Sequence, residues 1–246
     1  MREEITIDGE FGELPAVIDW PGRRNLECCL VICHGFRGSK EGGGRAQLLA
    51  ERAALLGYTV VRFDFTPLCC LTRQIAEIRQ VINFCREKVT SKVVLLGRSM
   101  GGSASLVYAA TFGTISALCL WATPSDLDET FRLSLGERYH RLIEYHDISI
   151  KDEYGELILN VDFIRDFANY DLKQGITKLD SIPLLVIHGS EDEIVPLSQA
   201  EKLFSLATCP KEFVILPGGN HQLSNCYFAA ADIVISWLSQ LPFGCG

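Results

Sequence analysis

The stretch that decides the fold is SKVVLLGRSMGG, residues 91–102. An apolar run, KVVLL, leads directly into GRSMG and then into a helical segment of small residues. A G-x-S-x-G pattern between a strand and a helix makes the chain reverse sharply, so that the serine hydroxyl projects from the turn. The flanking glycines relieve crowding, and the N-terminus of the helix offers free N–H groups. The pattern predicts Ser99 as a nucleophile and the Met100 N–H as a donor to an oxyanion.

Short apolar runs and longer helical segments alternate on both sides of this turn. The runs predict eight strands: EEITI, ELPAVIDW, CCLVICHGF, YTVVRFDF, SKVVLLGRS, ISALCLWAT, IPLLVIHGS and KEFVILPGG. Helices are predicted at residues 45–56, 72–88, 100–113, 196–207 and 227–241. Strands that alternate with helices favour right-handed crossovers and a sheet covered on both faces. The sequence therefore predicts an α/β fold with a mostly parallel eight-stranded sheet flanked by helices, in one domain over residues 1–246.

A second motif, HGFRG, follows the earlier buried strand CCLVIC. Gly35 allows the backbone to come close to a reaction centre, and the N–H of Phe36 is then a natural second donor to an oxyanion. Two donors that are fixed before charge develops stabilise a tetrahedral intermediate. His34 is expected to brace the loop by hydrogen bonds. The alternative is an ordinary exit from a strand.

A third motif, HGSEDEIVP, follows the strand PLLVI. Asp192 lies where a carboxylate can reach an imidazole, and its neighbours Glu191 and Glu193 are expected to point to solvent. His188 is expected to be structural, and Pro196 to begin the next helix. The alternative is a charged, solvated loop.

A fourth motif, PGGNH, comes after the last strand and before the last helix. His221 is predicted to be a general base because its glycine-containing loop can reach across the end of the sheet. The alternative is a solvated surface histidine. The predicted set of Ser99, Asp192 and His221 lies at carboxyl ends of strands, where open α/β sheets place their sites.

Together, HGFRGSKEG, GRSMGG, HGSEDEIVP and GGNH resemble the α/β-hydrolase superfamily over nearly the whole chain. The order Ser, Asp, His is the order of that superfamily. Within it, the chain resembles small bacterial carboxylesterases of the cinnamoyl and feruloyl esterase type. The resemblance implies hydrolysis of carboxylic esters through an acyl-enzyme, with Phe36 and Met100 as oxyanion donors and with no metal or organic cofactor.

The sequence departs from those esterases after VVRFDF. They usually continue with a glycine-rich turn and a loop, whereas here TPLCCL, residues 66–71, runs straight into the next helix. Such a loop normally lies near the nucleophile. Its shortening is expected to open the pocket and to change the substrate.

Residues from about 125 to 180 are too long for a simple crossover and are predicted to form a lid over the end of the sheet. The segment SIKDEYGELIL predicts a hairpin turned at Tyr154-Gly155. Tyr139, Tyr145 and Tyr154 are candidates for contact with substrate, because aromatic side chains line such pockets. The alternative is that they pack the lid onto the body.

Composition limits the classes of partner. Hydrophobic residues make up 48% of the 246 residues, which is enough for a sizeable core, and the net charge of −8 disfavours nucleic acid. The N-terminus does not have the pattern of a signal peptide, and no apolar run has the length of a membrane span. A cytoplasmic protein with a small-molecule ester substrate is expected. Its ten cysteines are expected to be free thiols.

Two other functions fit the same motifs. A thioesterase or short-peptide hydrolase would use the same three side chains. A non-catalytic binding protein of the same fold is the second alternative, and it would be favoured by loss of the nucleophile or the base, both of which are present.

Overall fold

The structure, a computed structural model, describes residues 1–67, 70–144, 146–152 and 155–243. The main sheet contains β1 Arg2–Gly9, β2 Gly12–Asp19, β3 Cys28–Cys33, β4 Thr59–Phe63, β5 Lys92–Arg98, β6 Ala117–Trp121, β9 Leu184–Gly189 and β10 Lys211–Leu216. A separate hairpin is formed by β7 Ile148–Asp152 and β8 Gly155–Leu159. The helices are α1 Arg45–Leu56, α2 Leu71–Lys88, α3 Met100–Phe112, α4 Leu127–Leu135, α5 Glu137–Ile143, α6 Val161–Arg165, α7 Leu172–Ile176, α8 Leu197–Leu206 and α9 Tyr227–Gln240.

The strand order across the main sheet is β1-β2-β4-β3-β5-β6-β9-β10. Strands β1 and β2 pair antiparallel with their neighbours, and the remaining pairs are parallel. The predicted eight-stranded, mostly parallel sheet is confirmed. Parallel strands place their carboxyl ends along one edge, so the loops after β3, β5, β9 and β10 come together there.

Strand β3 is buried on both faces of the sheet, which explains why its sequence is apolar throughout. Alternate side chains point to opposite faces, and every residue from Cys28 to Cys33 is buried. Cys29 and Val31 pack with the cluster that includes α2 and α3, whereas Cys28 and Leu30 pack with the cluster that includes α1 and α9. Of the adjacent pair, Cys28 therefore packs into one hydrophobic cluster and Cys29 into the other. Burial raises the pKa of Cys28 to about 12.

The predicted free thiols agree with the described part of the chain. The cysteines described there are free, and most are buried. Their protonated side chains act as small apolar groups in the core. Cys69 and Cys245 lie outside the described residues.

Glycines set the bounds of α1, which match the predicted range. Gly44 precedes the helix with φ 84° and Gly57 ends it with φ 112°. Both conformations are left-handed and therefore favour glycine. Helix α8 begins at Leu197, one residue after the predicted start, because Pro196 has a non-helical ψ of 136° and forms the N-cap.

Residues 125–180, here called the insertion, lie between β6 and β9 and hold α4 to α7 and the hairpin. The hairpin matches the predicted segment SIKDEYGELIL, except that β7 begins one residue earlier, at Ile148, and the predicted turn residue Tyr154 lies outside the described residues. The left-handed Gly136, with φ 55°, separates α4 from α5. This break divides the helical part before the hairpin into two short helices.

Candidate active site

Ser99 occupies the turn between β5 and α3 in a conformation that ordinary residues avoid. Its φ is 51° and its ψ is −127°, and its N–H donates to the Trp121 carbonyl at 2.9 Å. A non-glycine residue in such a region costs on the order of 1–3 kcal/mol, which the surrounding packing must supply. The result is a serine side chain held at the carboxyl edge of the sheet.

The glycines around Ser99 are required by close backbone contacts. A Cβ on Gly97 would lie 2.5 Å from the Gly102 Cα, and one on Gly101 would lie 2.1 Å from the His34 carbonyl oxygen. Side chains at these positions would drive α3 away from β5 and β3. The tight turn therefore depends on the glycines that the motif supplies.

His221 lies beside Ser99 on the loop after β10. Its Nε2 is 3.1 Å from the Ser99 Oγ, and the imidazole is largely buried. Two backbone contacts fix this loop: the His221 N–H donates to the Glu193 Oε2 at 3.0 Å, and its carbonyl accepts from the Arg98 Nη2 at 3.2 Å. These two hydrogen bonds hold the His221 backbone in place and so position its ring beside Ser99.

Asp192 holds the opposite nitrogen of this imidazole. The His221 Nδ1 lies 3.0 and 2.9 Å from the two carboxylate oxygens, so it carries the proton and leaves Nε2 free to accept one from Ser99. The Oδ1 also accepts from the N–H groups of Ile194 and Val195, at 3.0 and 2.8 Å. The carboxylate is fully buried, and both of its oxygens accept hydrogen bonds.

A second histidine contacts the same carboxylate. The His188 Nε2 lies 3.2 Å from the Asp192 Oδ2 and 2.9 Å from the Val195 carbonyl, so it carries a proton that both oxygens accept. Burial acts to raise the pKa of Asp192, but the hydrogen bonds from His188 and His221 outweigh it and hold the pKa well below the ordinary aspartate value. Asp192 is therefore an anion at neutral pH.

The loop after β3 approaches Ser99 from the other side. A Cβ on Gly35 would lie 3.0 Å from the Ser99 Cβ, so glycine is what permits this approach. The His34 Nδ1 lies 2.8 Å from the Gly35 carbonyl, and its Nε2 accepts from the Phe65 N–H at 3.1 Å. Burial lowers the pKa of His34, which keeps the ring neutral for this contact. The expected bracing role of His34 agrees with these bonds.

The predicted oxyanion donors lie on the wall of the same cavity. Phe36 and Met100 line a space of about 650 Å³ together with Ser99 and His221. Met100 is the first residue of α3, and amides in the first turn of a helix have no intrahelical partner. The structure thus brings all five predicted site residues into one region.

The insertion supplies the remaining wall of this cavity. Leu127, Thr130 and Phe131 of α4 line it. The Phe36 ring packs against Phe131 and Phe163 of the insertion, with ring centroids 5.1 and 5.4 Å away, and those two rings also contact each other. The loop after β3 and the insertion are therefore packed as one unit at the site.

Of the three tyrosines predicted as candidates for substrate contact, the structure describes Tyr139. The side chain of Tyr139 is buried, donates its hydroxyl to Asp128 and lines a separate cavity, so it packs the insertion instead of facing Ser99. Tyr145 and Tyr154 lie outside the described residues. In the shortened segment, Thr66 and Pro67 line a neighbouring cavity, and Leu68 also lies outside the described residues.

Two polar residues have roles that the sequence did not predict. Glu193 is exposed, yet its carboxylate holds the His221 backbone instead of pointing only to solvent. His188, which the sequence predicts only to be structural, contacts the carboxylate of Asp192 as well as the Val195 carbonyl. Both residues belong to the HGSEDEIVP motif, but the motif alone does not say which atoms they reach.

The geometry and the strand order define the class of fold. A mostly parallel sheet with a serine at the β5–α3 turn, an acid after β9 and a histidine after β10 is the α/β-hydrolase arrangement. Solved structures support this assignment, and the chain has the α/β-hydrolase fold. No protein-family model matches it.

Three solved structures illustrate the similarity. Est1E from Butyrivibrio proteoclasticus has a TM-score of 0.82 and 21% identity, with 96% of this chain and 97% of that chain covered. The esterase domain from a Rhodothermus marinus protein has a TM-score of 0.72 and 22% identity, covering 98% and 99%. The α/β hydrolase GrgF from Penicillium has a TM-score of 0.77 and 16% identity, again covering 98% and 99%. At these identities the comparison concerns the fold.

Curated relatives of similar sequence include two bacterial proteins. "Uncharacterized protein YfhR" from Salmonella typhimurium is 23% identical over 232 residues, and the protein of that name from Escherichia coli K12 is 25% identical over 220 residues. The matches cover 88% of this chain but 63% and 62% of those proteins, so the chain spans less than two thirds of their length. Across the described ranges, no helix is both long and apolar enough to cross a bilayer.

Proposed function

We propose that this chain is a serine hydrolase that cleaves small-molecule carboxylic esters. The observation that carries the proposal is the hydrogen-bonded series from Ser99 Oγ through His221 to Asp192 beside an accessible cavity. Such a series is the arrangement in which an imidazole activates a serine hydroxyl.

In the first step, the Ser99 oxygen attacks the acyl carbon while the His221 Nε2 takes the hydroxyl proton. The tetrahedral oxyanion accepts hydrogen bonds from the backbone N–H groups of Phe36 and Met100. Each such donor lowers the barrier by about 3 kcal/mol. The intermediate collapses as the ester C–O bond breaks, and the imidazolium gives its proton to the leaving alkoxide oxygen. The acyl-enzyme and an alcohol result.

In the second step, water attacks the acyl carbon and His221 again takes a proton. The second tetrahedral intermediate expels the Ser99 oxygen, which regains its proton, and the carboxylic acid departs. Asp192 keeps the proton on Nδ1 throughout and stabilises the imidazolium. The buried and anionic state of Asp192 supports this role.

The cavity and the structural neighbours support an ester with a small apolar acyl group. Phe36, Leu127 and Phe131 line the space around Ser99. A structure described as ferulic acid bound to Est1E has a TM-score of 0.84 at 20% identity. That neighbour's ligand is an aryl acid, which supports testing aryl acids in this pocket. The shortened segment at residues 66–71 supports testing aliphatic acids beside them.

The proposal is tested with an ester, a thioester and an anilide that share one acyl group. We expect the ester to be cleaved fastest, and Ser99→Ala or His221→Gln to lower kcat by about 10⁶-fold. His140→Gln is the matched control, because His140 is an exposed histidine on α5. Preference for the thioester or the anilide would favour the alternative hydrolases. Folded wild-type protein with no turnover of any of the three would favour a binding protein.

A further inference from the structure

A second cavity lies directly beside the candidate active site, on the face of the sheet covered by α1 and α9. It has a volume of about 640 Å³ and is partly open to solvent. Arg98 and Gln222 line both cavities, and the Arg98 Nη2 donates to the Gln222 Oε1 at 2.7 Å between them. The wall of the second cavity is mainly apolar and includes Leu49, Leu96, Trp121 and Tyr227.

Trp121 is a buried aromatic residue of this apolar wall. Its side chain is 4% exposed, and its Nε1–H has no hydrogen-bond partner within the described ranges. The indole is held against the Tyr227 ring, with the ring centroids 6.1 Å apart. The indole N–H itself is buried, so the ring of Trp121 is the part that forms the cavity wall.

The charges around the cavity favour an anion. Arg45, Arg98 and Lys40 line it, and none of the lining residues, all within the described part of the chain, is an acid. The Lys40 Nζ lies 2.7 Å from the Asp64 Oδ2, and this ion pair offsets the attraction of Lys40 for an anion in the cavity. The Arg45 guanidinium, whose hydrogen bond goes to the neutral Gln222 carbonyl, adds positive charge to the cavity wall.

Arg45 is the guanidinium best placed to bind a ligand. Its Nη1 is 3.5 Å from the Gln222 carbonyl, a long hydrogen bond, and its Cζ lies 5.9 Å from the centre of the Tyr227 ring. Guanidinium groups bind carboxylates through paired N–H donors. Arg45 therefore supplies the cationic end of a cavity whose deeper wall is apolar.

The loop that closes the cavity is held by a buried ion pair network. Arg62 is fully buried, and its Nη1 donates to the Lys40 carbonyl and to the Glu41 carboxylate, each at 2.8 Å. Its Nε donates to Asp19 at 3.1 Å. These bonds fix the loop, so the cavity is preformed and a ligand does not have to order it.

We propose that this second cavity binds a small monocarboxylate with a short aliphatic or aryl body. The apolar body packs on Leu49, Leu96 and Tyr227, and the carboxylate accepts hydrogen bonds from Arg45. Binding requires no chemistry at Ser99. The proposal therefore stands or falls independently of ester hydrolysis.

The test uses ¹⁵N-labelled Ser99→Ala protein and two probes, benzoate and the neutral benzamide. The chain has three tryptophans, so their indole N–H resonances are easily resolved, and Trp121→Phe assigns the one of interest. We expect benzoate to shift the Trp121 resonance saturably, with benzamide binding at least about tenfold more weakly because it lacks the charge. The resonances of Trp20 and Trp237 should not move.

Two variants and one control locate the site. Arg45→Gln should weaken benzoate binding about tenfold by removing the guanidinium. Arg52→Gln makes the same charge change on the same helix, outside the cavity, and should have no such effect. Ala46→Leu adds bulk at a half-exposed helical position in the wall and should abolish binding with the charges kept.

Three results would overturn the proposal. The first is an unmoved Trp121 resonance at saturating benzoate. The second is equal binding of benzamide. The third is a shift confined to His221, which would put the carboxylate in the cavity beside Ser99. Covalent labelling of wild-type Ser99 is measured separately, so a failure of the proposed hydrolase activity remains distinguishable from these results.

Discussion

Replacing Gly35 with alanine tests how closely the loop after β3 must approach Ser99. The added Cβ would lie 3.0 Å from the Ser99 Cβ and 3.1 Å from the Arg98 carbonyl oxygen. Ordinary contacts are 3.4 Å or longer, so the loop must retreat by about 0.4 Å. The neighbouring peptide carries the Phe36 N–H and moves with it.

This displacement should lower kcat strongly while the variant remains folded. Loss of one oxyanion donor costs about 10² to 10³ in kcat, so a partial retreat should lower kcat by about 10- to 100-fold. Overpacking at this site should cost about 1–3 kcal/mol of unfolding free energy. Steady-state ester hydrolysis and urea unfolding measure the two effects.

Gly22→Ala is the matched control for this experiment. Its added Cβ would meet no atom within 4 Å, and its φ does not lie in the left-handed range. It should leave both kcat and stability unchanged. If Gly35→Ala kept kcat within twofold of the wild type while remaining folded, the proposed role of the Phe36 N–H would be refuted.

Three further predictions concern the carboxylate beside His221. Asp192→Asn should stay folded by circular dichroism but lower kcat about 10⁴-fold, because an amide no longer enforces the Nδ1–H tautomer; unchanged turnover would rule out the orienting role. His188→Phe should lower kcat about tenfold in the same assay, since it removes the Nε2–H donor to Asp192, and a variant as active as the wild type would limit His188 to packing. The lowered pKa of Asp192 gives stability that is present above about pH 4, the unfolded value, and is lost as pH falls towards the folded pKa. The difference in unfolding free energy between the wild type and Asp192→Asn should therefore shrink from pH 7 to pH 3 in urea titrations, and a constant difference would contradict this linkage.

Much of the fold follows from local sequence signals. The central strands are buried on both faces, so their apolar runs are continuous and their limits are sharp. Helix α1 is bounded by glycines in left-handed conformations, which fix its ends within a residue. The motif spacing also predicted which loops meet at the carboxyl edge, because parallel strands align those ends.

Other features depend on contacts between distant parts of the chain. The acceptor role of Glu193 arises because the loops after β9 and β10 lie side by side, which the exposed character of the residue does not indicate. The sequence presents Trp121 as an ordinary strand residue, and only its packing against α9 leaves its N–H without a partner among the described residues. The helices of the insertion are short, and their hydrophobic periodicity is too brief to define their orientation.

Covalent labelling with a fluorophosphonate probe tests the proposed nucleophile most directly. The probe reacts with a serine whose hydroxyl is activated by a neighbouring base, and mass spectrometry of the digested protein locates the labelled residue. We expect stoichiometric labelling at Ser99 that is absent in Ser99→Ala and strongly slowed in His221→Gln. Folded wild-type protein that takes up no label, or labelling at Ser99 that proceeds equally fast without His221, would contradict the proposed serine hydrolase mechanism.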